Sequence, residues 1–177
     1  MTMLREVDAT ELGRLFVRGM EDNLGDRAAN LLSAISALVN GGLQLTAASA
    51  IYETEPVDHL EQPQFLNQVI AVTAPGLEPY SLLRFCLETE SQLGRVRTIP
   101  RGARVIDIDL LLLGDFVLDG EFDGVNLILP HPRMHLRRFV LEPLTELAPQ
   151  LQHPLLGQTV EQLLASLNDS AAVREYR

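Results

Sequence analysis

Apolar and polar positions along the 177-residue chain change their period several times, and each change marks a new element. Arg14 to Gly19 is a short apolar run that predicts a first strand. The turn-forming stretch Asn23-Leu24-Gly25-Asp26 follows, with Asp26 placed to cap a helix running through Asn40. Leu31, Leu32, Ile35, Leu38 and Val39 recur in it at helical spacing, and Gly41-Gly42 ends it. Leu43 to Tyr52 reads as a second strand. Glu53 to Gln64, with Pro56 and Pro63, reads as a loop. Phe65 to Ala74 is rich in Val and Ile and predicts a third strand, broken by Pro75-Gly76. A second helix is expected from Pro79 to about Leu93.

An arginine-rich loop and a fourth strand, Arg104 to Leu113, come next. A hairpin-like region then leads to Pro130-His131-Pro132-Arg133, and helical segments follow near Arg138 to Leu147 and Thr159 to Leu167. The order β-α-β-β-α-β predicts an α+β fold with a ferredoxin-like core, an antiparallel sheet with helices packed on it. Residues 1–13 read as an N-terminal extension and residues 14–177 as a single domain.

Composition sharpens this picture in three ways. The formal charge of −10 disfavours general binding to nucleic acid or to an anionic membrane. No segment reaches the roughly 20 apolar residues that span a bilayer, and no signal peptide is recognisable, so a cytoplasmic protein is expected. The single cysteine, Cys86, lies in an apolar stretch and is expected to be a buried, inert thiol. All 14 basic residues are arginine, and half of them fall in two short clusters, Arg95, Arg97, Arg101 and Arg104, then Arg133, Arg137 and Arg138.

The strongest chemical feature is Val105-Ile106-Asp107-Ile108-Asp109-Leu110. The period of two in a strand projects Asp107 and Asp109 from one face, about 7 Å apart. Two acids in so apolar a strand repel each other and lose hydration unless something positive sits between them. A hard divalent cation satisfies both, and Mg²⁺ characteristically takes one or two carboxylates alongside phosphates and water. Two solvated acids on an exposed sheet edge are the competing reading. The nearby arginines suit phosphate oxygens, although a plain salt-bridge network would use the same residues. His131, its backbone constrained by the flanking prolines, is read as a phosphate contact rather than a metal ligand, with a rigid hydrogen-bonded turn as the alternative. No phosphate-binding Gly-x-x-x-x-Gly-Lys loop exists in a chain without lysine.

Five separated motifs, in order, resemble the 6-hydroxymethyl-7,8-dihydropterin pyrophosphokinase family over roughly residues 14 to 155. They are Tyr52-Glu53-Thr54-Glu55-Pro56, Gln62-Pro63-Gln64-Phe65-Leu66-Asn67, Glu90 through Gly94-Arg95-Val96-Arg97, Arg104-Val105-Ile106-Asp107-Ile108-Asp109, and Pro130-His131-Pro132 leading to Arg137-Arg138-Phe139. The resemblance implies a ferredoxin-like αβα fold and transfer of pyrophosphate from ATP to the pterin hydroxyl with release of AMP. It implies two Mg²⁺ ions on Asp107 and Asp109. It places ATP against Glu90, Arg95, Arg97, Arg101, Arg104, Leu110, His131 and Arg137, with Arg95, Arg97 and Arg104 acting in catalysis together with the two acids. It assigns the pterin to Phe65 and Phe139, which would sandwich the ring, and to Asn67, Thr54, Glu55, Val57 and Asp107. From residue type alone the two phenylalanines read as ordinary core residues rather than as a pterin clamp.

Two departures from the family pattern stand out. Gly19-Met20-Glu21-Asp22-Asn23-Leu24-Gly25-Asp26 carries two extra residues and lacks a serine. The loop Arg101-Gly102-Ala103-Arg104 is one residue shorter than the family's and has no tryptophan. They raise the alternative of a catalytically weakened pterin- or nucleotide-binding relative. A ferredoxin-like RNA-binding module is disfavoured by the acidic charge and the few strand aromatics. ATP and the pterin are the expected partners of a monomer or weak homodimer.

Overall fold

A computed structural model describes residues 12–19, 27–54, 64–94 and 106–177. In chain order the elements are β1 (Leu12–Gly19), α1 (Arg27–Asn40), β2 (Gln44–Ala48), β3 (Tyr52–Thr54), β4 (Phe65–Thr73), α2 (Pro79–Gln92), β5 (Ile106–Leu113), β6 (Leu118–Phe122), β7 (Val125–Leu129), a 3-10 turn (Met134–Leu136), α3 (Arg138–Leu147), α4 (Val160–Ser166) and β8 (Val173–Glu175). The chain is thus mixed helix and antiparallel sheet.

The apolar run of β4 places it at the centre, with all but its first residue buried. β1 pairs along its whole length on one side, and β2 and β3 pair with successive parts of the other side. β5 lies beyond β1 and β8 beyond β3, so the sheet runs β5-β1-β4-β3-β8, with β2 also on β4. β6 and β7 form a separate hairpin. Its turn, Asp123-Gly124, has positive φ at both residues, the conformation that matches strand twist.

Hydrophobic side chains close both faces of the sheet. On one face Leu31, Leu38, Leu82 and Cys86 pack against Ile70, Ile106, Ile108 and Leu110. On the other, Met134, Phe139, Leu141 and Leu144 of the C-terminal segment cover Val69, Leu111 and Leu112. α1 turns Leu31, Ala34, Ile35 and Leu38 inward. Leu32 and Val39, also expected on the apolar stripe, stand 60% and 40% exposed, because each lies about 100° around the helix from its buried neighbour. The helix ends at the two glycines as expected. Gly42 has φ +113°, and a Cβ on Gly41 would meet the Phe85 ring at 2.1 Å.

The single strand expected over Leu43 to Tyr52 is two strands. At Ser49 the main-chain N–H donates to Val69 O (2.9 Å), while the hydroxyl accepts the Val69 N–H (3.1 Å), so a side chain replaces a carbonyl and the ladder breaks. Glu146 of α3 then accepts the Ala50 N–H (3.0 and 3.1 Å to its two oxygens) and the Tyr52 hydroxyl (3.1 Å), holding the kink. β1 starts at Leu12, two residues earlier than expected, and β3 takes Glu53 and Thr54 from the expected loop. β8 was not anticipated. At the C-terminal end a reciprocal capping box opens α4: Gln162 N–H donates to Thr159 Oγ1 (3.2 Å) and Thr159 N–H to Gln162 Oε1 (3.0 Å).

Candidate active site

The first five residues of β5 alternate between buried and half-buried. Ile106, Ile108 and Leu110 enter the core beneath α1 and α2, which turns Asp107 and Asp109 to the opposite face. The pair therefore shares one face, as the period predicts, and neither acid is fully solvated. β5 is an edge strand, and α2 covers its outer side: Glu90, only 1% exposed, accepts the Ile108 N–H at 2.7 Å.

The proline-flanked histidine meets the acids through the main chain. His131 N–H donates to Leu111 O at 2.9 Å, pinning the turn to β5 just beyond Asp109. Asp109 and His131 both line a cavity of about 210 Å³, walled by Leu110, Pro132 and the β7 residues Asn126, Leu127 and Ile128. Sequence reasoning missed these β7 positions. Burial, then the charges of Arg137 and Arg133, pushes His131 down to about 4, with Asp107 among the groups acting in the opposite direction. The ring is neutral at pH 7. Because Nδ1 accepts the Arg133 N–H (3.2 Å), its proton sits on Nε2, which leaves a donor.

Arg137 is half-buried immediately before α3, its guanidinium carbon 5.5 Å from the centroid of the Phe139 ring. Burial and then Arg133 lower its pKa, while Asp109 and Asp107 work against them, so cation and acids feel each other across the site. Phe139 is 7% exposed and packs in the second core, as its bland reading held. Cys86 is the buried thiol expected, pushed up to about 12 by burial first and then by Glu90 and Asp109.

Sheet register connects the acids to the residues expected to hold the pterin. Position 18 of β1 pairs with Asn67 on one side and with Asp107 on the other. Asn67 and Asp107 are therefore level on the same face, two strand spacings or about 9.5 Å apart. Asn67, fully buried, donates from Nδ2 to Thr54 Oγ1 at 2.7 Å, and Thr54 pairs with half-buried Phe65. Glu55, Val57, Arg95, Arg97, Arg101 and Arg104 lie outside the described residues.

Two oxygen-donor carboxylates on one face, near a cation and a neutral imidazole, fit Mg²⁺, which completes its octahedron with phosphate and water. Among the described residues no group of three or more His, Cys, Asp or Glu side chains converges as a protein-only metal cage would.

Residues 19–149 match the profile of the 7,8-dihydro-6-hydroxymethylpterin-pyrophosphokinase family. The chain belongs to that family. It is 41% identical over 157 residues to the 2-amino-4-hydroxy-6-hydroxymethyldihydropteridine pyrophosphokinase of Methylorubrum extorquens, covering 88% of this chain and 95% of that protein. The Bacillus subtilis protein of the same name is 37% identical over 141 residues, 79% of this chain and 81% of its own length. The folic acid synthesis protein fol1 of Schizosaccharomyces pombe is 37% identical over 155 residues, and this chain spans only 20% of its length. Among solved structures, a Plasmodium falciparum HPPK-DHPS triple mutant superposes with a TM-score of 0.70 at 16% identity, covering 87% of this chain and 44% of that one. That likeness concerns fold alone. Pyrophosphokinases of this family are ATP-dependent transferases of folate biosynthesis, and membership makes this chain one of them. A weakened, binding-only relative is not favoured. Among the described residues of this pyrophosphokinase, no helix is long and apolar enough to cross a membrane.

Proposed function

We propose that the protein transfers the pyrophosphoryl group of ATP to 6-hydroxymethyl-7,8-dihydropterin and releases AMP, and that residues 14–177 form one domain on a ferredoxin-like core. The strand order β5-β1-β4-β2/β3 supports that core. One observation carries the reaction: Asn67 and Asp107 stand level on one face, so a pterin read by Asn67 would point its hydroxymethyl group toward the acids.

Asp107 and Asp109 would hold two Mg²⁺ ions, which would neutralise phosphate charge and align the phosphates for in-line displacement. Arg137 and the Nε2–H of His131 bind the phosphate chain from the opposite wall. Leu110 and the β7 wall of the cavity take the nucleoside end, with Glu90 behind β5. Phe65 and Phe139 bracket the pterin ring, and Asn67, Thr54, Glu55 and Val57 read its edge. The hydroxyl oxygen bonds to the β-phosphorus as the bond to the α,β-bridging oxygen breaks; that oxygen leaves with AMP and the hydroxyl proton passes to solvent. Arg95, Arg97, Arg101 and Arg104 supply further positive charge and help exclude water. The protein acts in the cytoplasm as a monomer or weak homodimer and binds no nucleic acid, a reading its charge of −10 supports.

AMP release from ATP, Mg²⁺ and the hydroxymethyl dihydropterin tests the reading. Asp107→Asn and Asp109→Asn are expected to lower turnover at least about a hundredfold, while pterin binding by calorimetry persists. Near-normal rates in either variant would remove the metal assignment.

A further inference from the structure

Arg27 opens α1, where a cation faces the positive end of the helix dipole and the first turn holds no acid to offset it. Its guanidinium reaches two other elements instead. Nη2 donates to Glu53 Oε1 on β3 at 3.2 Å, and Nη1 donates to the main-chain carbonyl of Gln64 at the entry to β4. Turned with its nitrogen toward Glu53, the Gln64 amide donates to both carboxylate oxygens, at 3.1 and 2.8 Å. The Arg27 and Glu53 side chains are 23% and 26% exposed, so solvent screens them less than an open surface pair.

Each anchor lies one residue from a group assigned to the pterin. Glu53 precedes Thr54, Gln64 precedes Phe65, and Thr54 and Phe65 are partners in the ladder. β3 has only three residues, held by β4 on one side and by the equally short β8 on the other, so few main-chain bonds fix its end. Fraying there would carry Thr54 away from Asn67 and break their 2.7 Å bond.

From this geometry we infer that Arg27 is a positioning residue for the pterin site. Its planar fork holds Glu53 and Gln64 together and so fixes Thr54 and Phe65 against Asn67. Lysine, a single point charge, cannot serve both acceptors with the same directionality. The inference rests on the pterin reading given above and adds a residue that touches neither substrate.

Steady-state AMP formation by the full chain tests it, comparing Arg27→Ala, Arg27→Lys and Glu53→Gln with the unaltered protein, alongside melting temperatures. The KM for pterin is expected to rise about tenfold in Arg27→Ala, less in Arg27→Lys, with the KM for ATP within about twofold throughout. Glu53→Gln should shift the same constant in the same direction, and it carries the test if Arg27→Ala does not fold. An unchanged pterin KM, or pterin and ATP KM rising together, overturns the inference. An unaltered chain that makes no AMP overturns the functional reading beneath it and this inference with it.

Discussion

Truncating Glu90 to alanine removes the acceptor of the N–H of Ile108, the residue between Asp107 and Asp109. Glu90 is 1% exposed, so water does not readily replace it. A buried N–H left without a partner costs about 1–3 kcal/mol, toward the upper part of that range where the lost partner is a carboxylate. The space vacated by the side chain adds about 1 kcal/mol. Glu90→Ala should therefore lose about 3 kcal/mol, which for a chain of 177 residues is a fall of about 6–12 °C in Tm. Glu90→Gln keeps an oxygen at the same place and should fall by less than about 4 °C. Thermal unfolding followed by far-UV circular dichroism reads both. The Mg²⁺ concentration giving half-maximal activity should rise in the alanine variant more than in the glutamine variant, because Ile108 sits between Asp107 and Asp109. A Glu90→Ala protein melting within about 2 °C of the unaltered chain would refute the argument that this bond secures the edge of β5.

Two further outcomes are expected. His131 is depressed from the ordinary histidine range to about 4, so the folded state binds fewer protons than the unfolded state between those values. The stability His131 contributes is present above about pH 6.5, the unfolded pKa, and is lost as the pH falls through about 4. Its ring-proton NMR shift should stay flat from pH 7.5 to about 5.5, and a midpoint near 6.5 would contradict the burial. Gly41→Ala drives a methyl group into the Phe85 ring and should cost about 1–3 kcal/mol in urea unfolding. Phe85→Leu in the same chain should recover part of that loss, and strict additivity of the two changes would show that the ring is not what the methyl meets.

The strands with strong apolar runs were legible because burial on both faces leaves little room for polar residues, as in β4. The acids of β5 were legible for the same reason, since a charge every second residue in such a strand is conspicuous. The break at Ser49 was not, because a serine that takes over a main-chain acceptor looks like any serine until its partner, Val69, is known. β8 carries Val173, Arg174 and Glu175, three residues with no period to read, and it exists only because β3 offers an edge. Leu32 and Val39 fall outside the buried stripe because five apolar residues in one helix overfill its inward face. Within the site, Asp109 and His131 stand far apart in the sequence with nothing there to link them, and the bond from His131 N–H to Leu111 O is what joins them. Asn126 to Ile128 gave no signal, because a hairpin strand that walls a cavity has the composition of one that does not.

Burial along β5 changes character part-way. Its opening residues are closed on one side only, and from Leu110 onward every residue is sealed on both. The strand is therefore anchored at one end and available at the other, like a post whose lower half is set in the ground. Surrounding loops can vary in length or sequence around the half that carries Asp107 and Asp109 without loosening the foundation, which is how a shortened, tryptophan-free arginine loop can coexist with that pair of acids.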